Sequence, residues 1–176
     1  MLLATREIYR GRVVRLNVET VELPNGHRIE LEILHHPGGA AVVALDDRHR
    51  VCMLRQFRHA AGGYVWELPA GRLEPGEPPA ETARRELIEE GGVEALEWQE
   101  LGQYISSPGV FTERIHLYLA TGLRPATQAP EAAEVFEVHW VPLDEAIARV
   151  HSGEFSDGKT CLGLLKAGHR LAARNT

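Results

Sequence analysis

Cysteine and long apolar runs are both scarce in this chain. Only Cys52 and Cys161 occur in 176 residues, and they form no C-x-x-C pair, so the sequence predicts no disulfide framework. No stretch approaches the length of a membrane span, and residues 1–12 contain no apolar core of signal-peptide length. We therefore expect a cytoplasmic protein that does not associate with membranes.

Lysine is almost missing, and positive charge is in deficit overall. Only Lys159 and Lys166 are lysines among 19 basic residues, and the formal net charge is -6. A negative balance argues against a broad surface for nucleic acid or for anionic membranes. An anionic ligand would therefore be held locally, by arginine side chains and metal, rather than by the field of the whole protein.

The order of apolar patterns predicts an α+β fold in a single domain. A length of 176 residues suits one domain with its own core. Alternating apolar residues on both sides of Pro24-Asn25-Gly26 predict a β-hairpin over residues 13–34. Further strands are expected near residues 40–47, 50–57, 64–68, 98–105, 114–121 and 134–141, and helices over 79–90, 143–151 and 158–173. This order predicts a mixed sheet covered by helices.

Four glutamates crowd the segment that contains the first predicted helix. Glu86, Glu89 and Glu90 fall on one narrow arc of that helix, and Glu77 lies just before it. Like charges four residues apart weaken a helix by roughly 0.2–0.5 kcal/mol per pair, so a helix kept only for packing would intersperse the signs. A hard divalent cation would relieve the repulsion, because Mg²⁺ prefers carboxylate oxygen and bridges to substrate phosphates. A solvated acidic helix face is the alternative.

This spacing resembles the signature of a known family, the Nudix box, G-x5-E-x7-R-E-U-x-E-E-x-G-U, where U is a bulky aliphatic residue. Residues 71–93 fill its nine fixed positions without a gap: Gly71, Glu77, Arg85, Glu86, Leu87, Glu89, Glu90, Gly92 and Val93. The resemblance implies a Nudix-type α/β/α sandwich with a mixed β-sheet and an N-terminal β-hairpin extension. It also implies an enzyme, since Nudix proteins are mostly metal-dependent hydrolases of a nucleoside diphosphate linked to another group.

The resemblance assigns a metal site to the predicted helix and to the residue before the box. It implies Glu86 and Glu90 as metal ligands, Glu89 as a ligand or the partner of one, and the main-chain carbonyl of Ala70 as a further ligand. Arg85 is expected to orient the glutamates through salt bridges. The implied ion is Mg²⁺, with Mn²⁺ as a substitute, and its role is to neutralise the diphosphate and lower the pKa of a bound water.

Two further segments resemble the ADP-ribose branch of the family. In that branch an arginine at the end of a Q-x-R segment contacts the diphosphate, which favours Arg58 over Arg55 as the substrate contact. A surface salt bridge is the alternative for either arginine. Pro108, which lies 15 residues after Val93, and Glu113 also match that branch and are expected to bind substrate. Ser-Pro-Gly is also a common turn sequence.

The general base and the contacts to adenine are expected outside the box. Related ADP-ribose hydrolases use a glutamate of the loop before Val135 as general base or to position the attacking water, which implies Glu134 first and Glu131 second. An ordinary exposed loop glutamate is the alternative. Adenine is commonly held in that branch by N-terminal residues, partly from a second subunit, so Arg12 is a candidate. Residues 1–36 are therefore expected to mediate a homodimer, with 37–176 as the catalytic core.

The resemblance as a whole implies that the protein hydrolyses ADP-ribose to AMP and ribose 5-phosphate. The expected partner is thus a small-molecule nucleoside diphosphate derivative. Another nucleotide sugar or a dinucleotide, such as GDP-mannose or a flavin dinucleotide, is the nearest alternative. A non-catalytic module that senses nucleotide sugars is an alternative from another class, and an isomerase, ranked last, would need an active-site cysteine.

Overall fold

The computed structural model describes residues 1–129 and 135–173, and the chain divides into two compact units. One, which we call the hairpin unit, comprises Met1–Gly38 and Tyr104–Ile115. The other, the core unit, comprises Gly39–Gln103 and His116–Thr176. Tyr104–Ile115 thus groups with the N-terminal residues, and the expected single domain over 1–176, divided into 1–36 and 37–176, stays a prediction.

The hairpin unit contains a three-stranded antiparallel sheet, with β1 (Leu2–Arg10), β2 (Arg15–Glu22) and β3 (Arg28–His35) in that order. In the turn between β2 and β3, Gly26 has a φ of 84°, a backbone conformation that residues with a side chain rarely adopt. In the same turn, Asn25 Oδ1 accepts a hydrogen bond from the His27 amide. The pairing confirms the predicted hairpin. The sequence does not predict β1, because all nine of its residues are exposed and no buried face produces alternation.

Four short strands open the core unit: β4 (Gly39–Ala44), β5 (Arg50–Arg58), β6 (Gly63–Glu67) and β7 (Ala70–Arg72). β8 (Val93–Ile105) and β9 (Arg114–Pro125) then run through both units, and β10 (Phe136–Pro142) returns to the core unit. The strands form two sheets, ordered β10-β5-β6 and β7-β4-β9-β8. β7 is not predicted from sequence, because three residues are too few to show a period.

The helices α1 (Pro79–Glu89), α2 (Leu143–His151) and α3 (Gly158–Ala172) end within one residue of their predicted bounds. α1 begins with proline in its first turn, where the missing amide has no helical partner to lose. α3 begins after Asp157, whose side chain accepts a hydrogen bond of 3.0 Å from the Thr160 amide and so caps the helix. Among the described residues, no helix is long and apolar enough to span a membrane.

Helices cover both faces of β4. Val42 packs in one buried cluster with Ala83 and Leu87 of α1, whereas its neighbour Val43 lies against Gly163 of α3. Since successive strand residues point to opposite faces, α1 and α3 lie on opposite sides of the sheet. The predicted α+β class and α/β/α sandwich are therefore confirmed.

Candidate active site

Two buried glutamates lie at the end of α1, one helical turn apart. Glu86 is 7% exposed, and Glu90, which follows the last helical residue, is 1% exposed. The buried side of α1 also contains Ala83 and Leu87, so two carboxylates share it with apolar residues. Burying a carboxylate costs free energy unless hydrogen bonds or a cation compensate for the lost water. These positions are therefore not those of a solvated acidic helix face.

The backbone of β7 lies directly against the two carboxylates. The amide of Ala70 donates a hydrogen bond of 2.8 Å to Glu90 Oε2. At Gly71 a Cβ atom would collide with the carboxylate of Glu86, so a larger residue there would displace that carboxylate. We call this set the carboxylate cradle: Glu86, Glu90, Ala70 and Gly71.

Arg85 connects three glutamates of the box. Its Nη1 donates hydrogen bonds of 2.6 Å to Glu86 Oε1 and 3.1 Å to Glu89 Oε2, and its Nε donates one of 3.1 Å to Glu77 Oε1. The hydrogen bonds from Arg85, with a further one from Thr82, lower the pKa of Glu77 to about 2. The contacts of Arg85 with Glu77, Glu86 and Glu89 raise the pKa of Arg85, and the hydrogen bond to Glu77 contributes most. Both groups are ionised at neutral pH, and Arg85 has the position expected of a residue that orients the glutamates.

The donor set of the cradle suits a hard divalent cation. Glu86 and Glu90 offer carboxylate oxygens and Ala70 offers a carbonyl, while the Glu89 side chain is 34% exposed and lies further out. Within the described residues, no three His, Cys, Asp or Glu side chains are grouped so that they alone could hold a metal ion. Mg²⁺ does not require such a cage, because it is usually bound by one or two carboxylates, several waters and substrate phosphates. The residues present therefore fit a cation shared between the protein and a phosphate-bearing ligand.

A further buried glutamate, Glu67, lies at the end of β6, shortly before the cradle in sequence. It accepts hydrogen bonds of 2.8 and 2.9 Å from Nε and Nη2 of Arg58 and one of 2.6 Å from Lys159 Nζ, and its side chain is 5% exposed. Burial opposes ionisation, but the two cations outweigh it and hold the pKa of Glu67 below its ordinary value. The pKa of Arg58 is raised, mainly by its hydrogen bonds to Glu67 and to a lesser degree by the charge of Glu90.

The two candidate arginines of β5 point to opposite faces of the strand. Leu54 lies opposite Glu67 in the β5–β6 ladder, so Arg58, four residues along, shares the face of Glu67. Its side chain is 43% exposed, which leaves it accessible to a ligand. Arg55 instead lies over the Tyr64 ring, with its guanidinium carbon 4.6 Å from the ring centroid. The structure thus brings Arg58, and not Arg55, to the Glu67 side.

Two predicted general bases lie outside the described residues: Glu131 and Glu134. The residues on both sides of that segment are placed. Ala129 donates a hydrogen bond of 3.2 Å to the carbonyl of Glu89, at the end of α1. Val135 accepts one of 2.9 Å from the amide of Phe57, the residue before Arg58. Among the described residues, Ala129 therefore lies at the end of the cradle helix, and Val135 lies next to the strand of the diphosphate candidate.

Three predicted substrate contacts belong to the hairpin unit: Arg12, Pro108 and Glu113. Arg12 is exposed between β1 and β2, and Pro108 is exposed between β8 and β9. Glu113 is partly buried, with Oε1 3.3 Å from Nδ1 of His36. The predicted site residues are thus divided, with the metal and diphosphate candidates in the core unit.

Neither thiol has the environment of a nucleophile. Cys52 is fully buried in β5, and burial, with a smaller contribution from the charge of Glu90, raises the pKa of its thiol to about 12. Cys161 is partly buried, and burial also raises the pKa of its thiol. A thiol that stays protonated at neutral pH does not attack an electrophile. The isomerase alternative gains no support.

Sequence reasoning missed Glu67 and Lys159 as site residues. They lie 92 positions apart and meet only through the folded chain. A signal did exist at Glu67, because a lone carboxylate among the apolar residues of a core strand must be paired when buried. The pattern around Lys159 contains no comparable signal.

The chain was then compared with known proteins. The family model described as NUDIX domain matches residues 35–160. The chain is 40% identical over 162 residues to a methanol dehydrogenase activator from Bacillus methanolicus, covering 91% of this chain and 88% of that protein. It is also 40% identical over 164 residues to an ADP-ribose pyrophosphatase from Bacillus subtilis (strain 168), covering 92% and 89%.

A comparison of structures agrees on the fold. A solved structure described as "Crystal structure of ADP compounds hydrolase" superposes with a TM-score of 0.85, covering 99% of this chain and 95% of that chain. The sequence identity is 21%, so this likeness concerns the fold alone. The extent of the family match and the 40% identity to curated relatives show that the chain belongs to the Nudix family and is a Nudix hydrolase.

Proposed function

We propose that this Nudix hydrolase splits the diphosphate bond of ADP-ribose into AMP and ribose 5-phosphate, with Mg²⁺ as cofactor and Mn²⁺ as a substitute. One observation carries the proposal: the buried carboxylates of Glu86 and Glu90 lie against the backbone of β7, and Arg58 is hydrogen-bonded to Glu67, three residues before Ala70 in sequence. This arrangement can hold a cation beside an anion, as diphosphate hydrolysis requires. The choice of ADP-ribose is supported by the identity to the ADP-ribose pyrophosphatase of Bacillus subtilis.

In this proposal, different side chains serve the cation and the diphosphate. Glu86, Glu90 and the carbonyl of Ala70 would hold the metal, with Glu89 as a ligand or the partner of one. Arg58 would bind the diphosphate through Nη1, because Nε and Nη2 face Glu67. Nudix hydrolases generally depend on a divalent metal, which neutralises phosphate oxygens and lowers the pKa of water.

The proton of the attacking water would be taken by Glu134 or, second, by Glu131. The described neighbours Ala129 and Val135 support this role, because their main chains are hydrogen-bonded to Glu89 at the end of α1 and to Phe57 of β5. Substitution of each glutamate by glutamine should identify the base as the one whose loss lowers kcat by about 10²-fold or more. Wild-type kcat in both variants would remove the assignment.

The substrate assignment is tested by comparing kcat/KM for ADP-ribose, GDP-mannose and a flavin dinucleotide under identical conditions. Product phosphomonoesters are detected as inorganic phosphate after treatment with an added phosphatase. ADP-ribose should be preferred by about tenfold or more, since each tenfold difference requires only about 1.4 kcal/mol of differential transition-state binding. A higher kcat/KM for either competitor would replace ADP-ribose as the substrate.

A second candidate function is favoured by the relative named as a methanol dehydrogenase activator. A protein of that kind acts on another enzyme, so the chain would serve as a regulatory module that binds a nucleotide derivative. The phosphate-release assay separates the two candidates. Binding of ADP-ribose without release of phosphate, at saturating Mg²⁺, would favour the regulatory module, and steady turnover would exclude a purely non-catalytic one.

We further propose a homodimer that forms through the hairpin unit, in which Arg12 contributes to adenine binding. β1 is an edge strand with exposed apolar side chains, including Leu2 and Ile8, and such an edge readily pairs with another chain. Size-exclusion chromatography with light scattering should give a dimer for the wild type and a monomer for Ile8→Glu. A monomeric wild type at micromolar concentration would end this proposal.

A further inference from the structure

Lys159 is placed unusually for a lysine. It lies in the first turn of α3, and its side chain is mostly buried. Nζ donates a hydrogen bond of 2.6 Å to Glu67 Oε2, the oxygen that also accepts one of 2.9 Å from Arg58 Nη2. Because lysine is almost never buried unless paired, the contact with Glu67 explains its position.

The start of α3 is also hydrogen-bonded to Leu68, the residue that follows Glu67. Thr160 Oγ1 accepts a hydrogen bond of 2.9 Å from the Leu68 amide. The same hydroxyl donates one of 2.6 Å to Asp157 Oδ2, and Lys159 Nζ lies 3.0 Å from that oxygen. These contacts fix Lys159 Nζ relative to the end of β6.

The charge balance around Arg58 depends on this lysine. Arg58 and Glu67 alone would form a neutral ion pair, whose attraction for an external anion is weak. When Lys159 shares the carboxylate, the negative charge of Glu67 is divided between two cations, and more of the positive potential at Arg58 remains for a ligand. Asp157 offsets part of this charge, but it also caps α3, whose N-terminus carries partial positive charge.

We propose that Lys159 is a positioning residue that acts through Glu67 to orient Arg58 and to preserve its positive potential toward the diphosphate of a nucleotide substrate. The inference rests on the proposed role of Arg58 in substrate binding. Lys159 itself does not contact the substrate in this scheme. Its effect passes through Glu67 Oε2, which both cations share.

A double-mutant cycle on ADP binding tests the inference, with Kd measured by calorimetry at saturating Mg²⁺. ADP carries a diphosphate, and its binding can be measured without turnover. Lys159→Met should raise Kd about 5- to 10-fold in the wild-type background but less than about twofold in the Arg58→Ala background, because residues of one network are coupled. An unchanged Kd in Lys159→Met, equal factors in the two backgrounds, or no ADP binding by the wild type would overturn the inference.

Matched variants separate positioning from a general effect on folding or charge. Lys166→Met removes the same charge from the same helix and should leave Kd unchanged. Lys159→Arg keeps the charge and should bring Kd to within about threefold of the wild type, since both side chains donate to a carboxylate. An equal loss in Lys159→Arg and Lys159→Met, or a loss in Lys166→Met as large as in Lys159→Met, would contradict the inference. Thermal unfolding checks that each variant is folded, and Lys159→Gln enters the same cycle if Lys159→Met is not.

Turnover of ADP-ribose decides the proposed function separately. A protein that shows the expected coupling in ADP binding but hydrolyses GDP-mannose faster would lose the proposed substrate and keep the role of Lys159. A protein that hydrolyses ADP-ribose without coupling between Lys159 and Arg58 would keep the proposed function and lose the role of Lys159.

Discussion

The carboxylate cradle with its neighbours and the surroundings of Glu67 differ in the ratio of glutamates to cations. Arg85 contacts Glu77, Glu86 and Glu89, and the carboxylate of Glu90 lies one turn beyond Glu86. At Glu67, by contrast, one buried glutamate is shared by two cations, Arg58 and Lys159. Among the contacts given for the described residues, four glutamates accompany one arginine in the first region, whereas Glu67 and Asp157 accompany two cations in the second.

The difference indicates that the local ratio of carboxylates to cations, rather than the net charge of -6 of the whole chain, decides which kind of ion each region can bind. An excess of carboxylates suits a metal ion, and in our proposal the two cations at Glu67, whose charge Asp157 partly offsets, leave Arg58 able to attract phosphate. The regions are joined by a short stretch of backbone, since Leu68 is bound by Thr160 and Ala70 by Glu90. A cation and a diphosphate can thus be held side by side.

Loss of one cradle carboxylate should have the largest effect on turnover, because it removes a proposed metal ligand. We expect Glu90→Gln to lower kcat by about 10³-fold at saturating Mg²⁺, comparable to the loss of a strong electrostatic contact with the transition state. Glutamine still accepts the hydrogen bond from Ala70, so the melting temperature should change by only a few degrees, about 2–4 °C per kcal/mol. Glu89→Gln, at a more exposed position, should lose less, and a near-wild-type kcat in Glu90→Gln would refute the metal assignment.

Substitution of the two arginines of β5 tests the region around Glu67 as a binding site for the anionic diphosphate. Arg58→Ala should raise the KM for ADP-ribose by about 10- to 150-fold, as expected for a hydrogen bond to a charged group worth about 1.5–3 kcal/mol. Arg55→Ala is the matched control, because it removes the same charge from the other face of β5 and should change KM less than about twofold. Steady-state kinetics give both values, and similar effects of the two variants would argue against a diphosphate contact by Arg58.

A methyl group at residue 71 should disturb the cradle without removing any charge. In Gly71→Ala the new Cβ would displace the carboxylate of Glu86, and we expect kcat to fall about tenfold, since small misplacements are costly in active sites. Gly63→Ala is the control, because its Cβ would meet nothing within 4 Å. If the two variants have the same kcat, the close approach of β7 to Glu86 has no catalytic importance.

The smallest expected effect concerns the pH dependence of stability through Glu77. Its pKa is about 2 in the folded protein against an ordinary value of 4.5, so its contribution to stability is present above pH 4.5 and is lost as pH falls toward 2. The melting temperature of the wild type should exceed that of Glu77→Gln by a few degrees, about 2–4 °C per kcal/mol, near pH 7. The difference should shrink below pH 4.5, and thermal unfolding at several pH values measures it. A constant difference from pH 7 to pH 2.5 would show that the ion pair with Arg85 is not its cause.

Most elements of the fold could be predicted from sequence, and the failures have a common cause. Helix bounds follow from local signals, such as Pro79 at the start of α1 and Gly91-Gly92 after its end. β1 was missed because it has no buried face, and β7 because it contains three residues. Strands of this kind are stabilised by hydrogen bonds to a neighbouring strand, and those bonds require no local pattern of apolar residues.

The candidate site residues likewise divide into those with a local sequence signal and those that depend on how strands pair. Glu86 and Glu90 could be predicted because four residues on a helix fix a shared face whatever the rest of the fold does. Preference for Arg58 over Arg55 came from a resemblance, whereas its physical basis is the register of β5 with β6. The roles of Glu131 and Glu134 stay predictions, as does the homodimer.

The family resemblance, the acidic helix and its suitability for a divalent cation can be inferred without any structure, because they depend on residue types at short fixed spacings along one element. Three features depend on the folded chain: a side chain at residue 71 would displace the carboxylate of Glu86, Arg58 and Lys159 share Glu67, and Arg58 rather than Arg55 lies on the Glu67 side of β5. The physical reason is distance along the chain. Contacts between residues as far apart as Glu67 and Lys159 depend on how sheets and helices pack, and no local periodicity encodes that packing.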